Sequence, residues 1–160
     1  MAKRSEAKLT GNLARMSDTS KKTITVEAPA DDVRALLFNL EGYPSWSTAI
    51  KSASVEERDG EGRALKVKSS IDAGVMKDRV TLDYDWSKAP DQLSFTLDDA
   101  DLLTEMSGSF TIKDNGDDTT DVTYELTVAL SMPVPAMMRQ KAEMSTIELA
   151  LNQLKKTLEE

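Results

Sequence analysis

Residues 50–130 alternate between apolar and polar side chains, and this pattern constrains the fold more than any other feature of the chain. Six such runs cover about residues 50–58, 63–71, 75–86, 92–98, 102–113 and 119–130. Alternation with period two is typical of half-buried strands. Short turn sequences, such as DGEG at residues 59–62 and the Asn115-Gly116 pair, separate the runs. The pattern therefore predicts an antiparallel meander of six strands.

Further elements flank the meander on both sides. Residues 21–28 alternate like a seventh strand. The apolar residues that follow have helical spacing, which predicts a short helix that ends before Gly42. Pro44 suits the start of a second short helix. From about Pro135 to Leu158 the apolar residues recur at helical spacing. They are Met137, Met144, Ile147, Leu151, Leu154 and Leu158.

A single sheet needs cover on one face, and the apolar stripe of the last helix can provide it. We therefore predict an α+β protein with a helix-grip fold. In this fold a curved seven-stranded antiparallel sheet wraps around a long C-terminal helix, and two short helices lie between strands 1 and 2.

The first 20 residues differ from the rest because basic residues outnumber acidic ones and apolar residues are few. This composition predicts a flexible basic leader over residues 1–20, followed by a single domain over residues 21–160. The sequence from Met16 is typical of a natural start, which would make the preceding residues an extension. The alternative is a basic arm that contacts an anionic partner.

The chain contains no cysteine and no histidine, which limits its chemistry. Disulfides, thiolate nucleophiles, Ser-His-Asp triads and His-ligated metals are excluded, so acid-base catalysis would have to use Asp, Glu, Tyr, Lys or water. The net charge of -8 disfavours nucleic acid as a partner. The acidic turn at residues 114–118 lacks the sixth-position glycine of a calcium loop, since that residue is Thr119. We expect a cytoplasmic protein without metal, cofactor or transmembrane segment, and the oligomeric state stays open.

Four short motifs in a fixed order carry a resemblance to a known family. They are Ile24-x-Val26-x-Ala28-Pro29-x-x-x-Val33, Leu40-x-x-Tyr43-Pro44-x-Trp46, Gly108-x-Phe110-x-Ile112 and Thr120-x-Val122-x-Tyr124-x-Leu126. With the final amphipathic helix, they make residues 22–158 resemble the START-like (SRPBCC) helix-grip superfamily, and more closely its bacterial polyketide cyclase/dehydrase-like branch, which includes coenzyme Q-binding and lipid-binding relatives. The resemblance implies a cavity between sheet and long helix that holds an apolar ligand. It assigns no catalytic residue.

Strand alternation predicts which side chains face such a cavity. The predicted ligand-binding residues of the sheet are Leu65, Val67, Met76, Asp78, Val80, Leu82, Tyr84, Phe95, Leu97, Thr104, Met106, Gly108, Phe110, Tyr124 and Leu126. Those of the long helix are Met137, Met144 and Ile147. Flexible methionines suit an adaptable apolar pocket, or they fill gaps in a closed core. Tyr43, Pro44 and Trp46 are expected to brace the short helices rather than to contact the ligand.

Asp78 is the one charged residue on an otherwise apolar strand face. A carboxylate there is costly unless it is paired. Burial makes it the candidate catalytic acid or base, while a place at the end of the sheet, bonded to backbone or a basic residue, is the structural alternative.

Three functions follow from these observations. The leading hypothesis is binding or carriage of a small hydrophobic molecule, such as a lipid, isoprenoid or polyketide. The alternative is a cyclase, aromatase or dehydratase that uses cavity shape and Asp78. The third is a protein-interaction module that acts through the basic leader.

Overall fold

The computed structural model describes residues 19–74 and 77–160. The strands are β1 (Ser20–Val26), β2 (Ile50–Arg58), β3 (Ala64–Asp72), β4 (Lys77–Asp85), β5 (Gln92–Ala100), β6 (Leu103–Asp114) and β7 (Thr120–Leu130). The helices are α1 (Ala30–Leu37), a 3-10 helix (Leu40–Ser45) and α2 (Ala136–Glu159). Residues 1–18 of the predicted leader lie outside the described residues, and so does Met76. Ser20, the last residue of that leader, already belongs to β1.

The seven strands form one antiparallel sheet in the order β1-β7-β6-β5-β4-β3-β2. Strands β2 to β7 pair in sequence order, each with its successor. The last of them, β7, also pairs with β1, where Ile24 lies opposite Val122. The helices between β1 and β2 thus connect the two edges of the sheet. The predicted helix-grip fold is confirmed.

The segment between the edge strands folds as its sequence suggests. Pro29 precedes α1, and Asp31 and Asp32 occupy its first turn, where the helix dipole favours negative charge. Val33 and Leu37 are fully buried. The 3-10 helix that follows contains Pro44, which lacks the amide hydrogen of a regular helix interior.

The C-terminal helix covers one face of the sheet through a buried stripe. Glu143, Ile147, Leu151 and Leu154 are each 0% exposed. The first turn of α2 projects past this packed part, and Met137 is 80% exposed. The placement of Met137 on the inner stripe was wrong, because helical spacing fixes a direction but not how far the sheet extends beneath it. None of the helices in the described part of the chain is long and apolar enough to cross a membrane.

Irregular pairing breaks the alternation in two strands. The register between β2 and β3 shifts near Leu65, which is 37% exposed while its neighbour Ala64 is buried. A second shift at the start of β6 leaves Thr104 exposed and buries Leu103 instead. An extra residue in one strand moves the following side chains to the opposite face. The inward placements of Leu65 and Thr104 were therefore wrong.

Candidate functional site

A cavity lies between the sheet, the 3-10 helix segment and the middle of α2, with a volume of about 60 Å³. Seven predicted residues line it: Val67, Leu82, Tyr84, Phe95, Met106, Phe110 and Tyr124. They come from five successive strands, β3 to β7, so the meander brings together positions that are up to 57 residues apart in sequence. The structure thus contains an apolar cavity where the resemblance implies one.

Ten further residues line the cavity and were absent from the predicted set. They are Leu40, Tyr43, Trp46, Ser47, Ala49, Ile50, Ser69, Ile71, Thr146 and Ala150. Five of these belong to the segment between α1 and β2, which turns under the sheet, and Ile50 is the first residue of β2. Tyr43 and Trp46 are buried, as expected of a brace, and the Tyr43 hydroxyl donates to the carbonyl of Leu37 at 2.6 Å. The same side chains also form a wall of the cavity, a role that strand alternation could not reveal.

Several predicted residues lie elsewhere. Val80, Leu126 and Ile147 are buried in the core without lining the cavity, and Leu97 and Met144 are half-buried against that core. Leu65, Thr104 and Met137 are exposed, as described above. Gly108 does not line the cavity either, but it shapes it indirectly.

Aromatic rings dominate the cavity wall. The chain has three tyrosines, three phenylalanines and two tryptophans. Six of these eight side chains line the cavity, while Phe38 and Trp86 contact each other elsewhere with ring centroids 5.2 Å apart. Phe110 stacks on Tyr124 at 4.2 Å, and Tyr43 meets Trp46 edge-on at 5.1 Å. Such walls favour flat apolar molecules.

Gly108 leaves room for one of these rings, that of Phe95, because glycine has no side chain. A Cβ atom at residue 108 would lie 2.8 Å from the ring of Phe95 and would also meet the carbonyl of Glu125. Phe95 therefore crosses directly over Gly108, its partner on β6. The glycine serves close approach of a side chain.

The polar groups of the cavity are neutral. Burial raises the pKa of Tyr84 and of Tyr124 well above the ordinary tyrosine value, and nearby Tyr124 raises that of Tyr84 further. Burial likewise raises the pKa of Tyr43. No charged side chain lines the cavity within residues 19–74 and 77–160. Over the same ranges no cluster of acidic residues suits a metal ion.

Asp78 is held outside the cavity by backbone amides. One carboxylate oxygen accepts from the amides of Arg79 at 2.7 Å and Asp101 at 3.1 Å. The other accepts from Leu102 at 3.0 Å and Leu103 at 2.8 Å. These bonds fasten the turn between β5 and β6 to the start of β4. The structural alternative for Asp78 thus describes its surroundings, and the carboxylate does not reach the cavity as an acid or base would have to.

Glu143 is a buried carboxylate that sequence reasoning missed. Its oxygens accept from the hydroxyl of Ser20 at 2.9 Å and from the amide of Val128 at 2.7 Å. These bonds join α2 to β1 and β7. The signal was present, because Glu143 precedes Ile147 by four residues on the apolar stripe of α2.

Comparison with known proteins places these features in a family. The family described as "Polyketide cyclase / dehydrase and lipid transport" matches residues 18–159. A START superfamily protein from Mycobacterium smegmatis superposes with a TM-score of 0.83 at 25% identity, over 88% of this chain and 97% of that one. The Zhui aromatase/cyclase from Streptomyces sp. R1128 superposes with a TM-score of 0.72 at 18% identity, over 88% and 93%. None of the curated protein sequences matches the chain.

Proposed function

The chain belongs to the polyketide cyclase/dehydrase and lipid-transport family, and on this premise we propose that it binds a small, neutral, hydrophobic ligand in the cavity between sheet and α2. The observation that carries the proposal is the composition of the wall. Six aromatic side chains and no charged one surround the cavity in the described part of the chain. A charged ligand would lose its hydration there without gaining a counter-charge.

The size of the cavity limits the ligand. A volume of about 60 Å³ is well below the roughly 300–1,000 Å³ of pockets that hold drug-sized molecules. A ligand of one or two rings enters after modest movement of flexible lining side chains such as Met106. A long lipid chain would require the helix and sheet to separate. We therefore favour compact cyclic molecules within the broader class of lipids, isoprenoids and polyketides.

Binding rather than catalysis is favoured by the placement of the acidic groups. One structural neighbour is an aromatase/cyclase, so an enzyme was a reasonable alternative for this fold. Cyclisation or dehydration needs a group that moves a proton next to the substrate. Asp78, the candidate for that role, is occupied by backbone amides outside the cavity, and the tyrosines stay protonated at neutral pH.

An NMR titration with indane, a neutral two-ring hydrocarbon, tests the proposal. We expect backbone amide shifts to concentrate at cavity residues such as Tyr84, Phe95 and Tyr124. Shifts confined to the surface, or none at saturating indane, would contradict binding in the cavity.

Two alanines of α2 provide a matched pair of variants. Ala150 lines the cavity and Ala142 does not, and both are half-buried. Ala150→Leu should weaken indane binding roughly tenfold or more, because added methyl groups in a packed site cost about 1–3 kcal/mol. Ala142→Leu should leave the affinity unchanged, and equal losses in both variants would argue against the assigned site.

A further inference from the structure

The two tryptophans of the chain differ in how their indole N–H groups are satisfied. The N–H of Trp86 donates to the carbonyl of Ala64 at 2.7 Å. The Nε1 atom of Trp46 is buried and has no acceptor within residues 19–74 and 77–160. Buried donors in native proteins are paired in the large majority of cases, and an unpaired one costs stability. Trp46 is also one of the residues that line the cavity.

The hydroxyls of two tyrosines on the same wall also lack a partner among the residues that the structure describes, although they are not fully buried as the indole N–H is. Neither the Tyr84 nor the Tyr124 hydroxyl makes a hydrogen bond within the described residues, whereas Tyr43 donates to Leu37. Both hydroxyls remain protonated because burial disfavours the phenolate. Three neutral donor groups that lack an acceptor in the described part of the chain thus belong to side chains that line the cavity.

We propose that the cavity selects ligands that carry a neutral hydrogen-bond acceptor, such as a ketone or ester carbonyl, and that the indole N–H of Trp46 is the group that recognises it. This inference rests on the proposed function. The indole is a donor only, so it can be satisfied by an acceptor but not by another donor. The tyrosyl hydroxyls can donate as well as accept, and they form a second, less selective set of partners.

The described residues of this wall include no cationic side chain, and this decides between a neutral and an anionic acceptor. A carboxylate or phosphate bound there would leave its hydration shell without a counter-charge among the described lining residues. A carbonyl oxygen loses much less hydration energy, and it can accept a hydrogen bond from the indole N–H of Trp46. A flat molecule with a ring carbonyl satisfies both the aromatic walls and the donor.

The pair 1-indanone and indane tests the inference, because the two molecules differ mainly by a carbonyl in place of a methylene. The measured quantity is the ratio of their dissociation constants, indane over indanone. Trp46→Phe should lower this ratio roughly 3- to 10-fold, the value of one hydrogen bond. Comparing ratios between variants cancels the different hydration of the two probes. Trp86→Phe is the matched control: it also removes an indole N–H, but one that lies away from the cavity, and should leave the ratio unchanged.

The indole N–H resonances give a second readout that does not depend on affinity. The chain has two such signals, and the Trp46→Phe spectrum identifies them. Indanone should move the Trp46 signal downfield by more than indane does, since both probes contribute similar ring-current shifts. The Trp86 signal should respond equally to both.

The outcomes separate the two proposals. If neither probe binds wild-type protein, the proposed function fails and the inference fails with it. If both probes bind but the ratio is the same in wild type and Trp46→Phe, the binding function stands and the recognition role of Trp46 is overturned. A ratio that falls only in Tyr84→Phe or Tyr124→Phe overturns it as well and assigns the acceptor to the tyrosyl hydroxyls.

Discussion

Replacing Asp78 with asparagine distinguishes an anchoring carboxylate from a catalytic one. The carboxylate lies 8% exposed at the start of β4 and accepts from the amides of residues 79, 101, 102 and 103. Asparagine keeps nearly the same shape and one oxygen. Its NH2 group, however, replaces the second carboxylate oxygen. It therefore points hydrogens at backbone N–H donors, which that oxygen accepts from in the wild-type protein.

The size of the effect follows from the bonds that asparagine cannot make. If its oxygen replaces Oδ1, the bond from Leu103 is lost and the Leu102 amide keeps only its 3.2 Å bond to Oδ1. The reverse orientation loses the bonds from Arg79 and Asp101. A hydrogen bond to a charged group contributes about 1.5–3 kcal/mol. Leu102 is 58% exposed, so water recovers part of the loss at its amide. We expect Asp78→Asn to lower the free energy of unfolding by about 2–4 kcal/mol.

Urea unfolding measures this change as a lower midpoint with an unaltered slope. Asp101→Asn is the control, because the Asp101 carboxylate is 56% exposed and pairs with Arg79 on the surface. Its loss should change stability by no more than about 1 kcal/mol. Indane affinity at low urea should match wild type in both variants. An Asp78→Asn protein of wild-type stability that no longer bound or converted a ligand would refute the anchoring role.

Two further predictions concern the cavity wall. Because burial raises the pKa of all three tyrosines above their unfolded value near 10, their contribution to folding stability is intact below pH 10. It falls as the pH rises further, by up to about 4 kcal/mol per pH unit. Absorbance of tyrosinate should therefore appear only together with unfolding, and ordinary titration near pH 10 in folded protein would contradict this burial. Gly108→Ala should cost about 1–3 kcal/mol in thermal unfolding and weaken indane binding, because the new methyl group displaces the Phe95 ring. In the control Gly60→Ala, the added Cβ has no atom within 4 Å, so stability and affinity should not change. A Gly108→Ala protein with wild-type stability and affinity would argue against the close approach of Phe95 to residue 108.

The order of elements could be predicted because local pattern decides it. Each strand run alternates on its own, and each turn carries Gly, Asn or Asp where the chain reverses. The seven strands and α2 accordingly begin and end within about two residues of their predicted bounds. The failures at Leu65 and Thr104 have a physical cause, since bulges reverse the two faces of a strand and leave no fixed signature in its composition.

The candidate site could be predicted only in part, because a cavity depends on relations between elements. Alternation identified most of the strand residues that point inward, and seven of the predicted residues line the cavity. It carried no information on the segment after α1, whose position under the sheet is set by tertiary packing. Nor could it show that the carboxylate of Asp78, on the same face as Val80 and Leu82, lies at the end of the strand among amides of the β5–β6 turn.

The Tyr43-Pro44-x-Trp46 cluster shows why packing and binding are difficult to separate in this fold. Trp46 is 7% exposed, so Trp46→Ala should lower the free energy of unfolding by about 3–5 kcal/mol. The looser packing of the cavity wall would by itself weaken the binding of any ligand. Trp46→Phe keeps a ring against Tyr43 and removes the N–H, so its effect on recognition can be measured in a folded protein. A ligand that satisfies this N–H removes an energetic cost that the unliganded protein bears. Ligands with such an acceptor should therefore raise the unfolding midpoint of wild-type protein by more than that of Trp46→Phe at the same free ligand concentration.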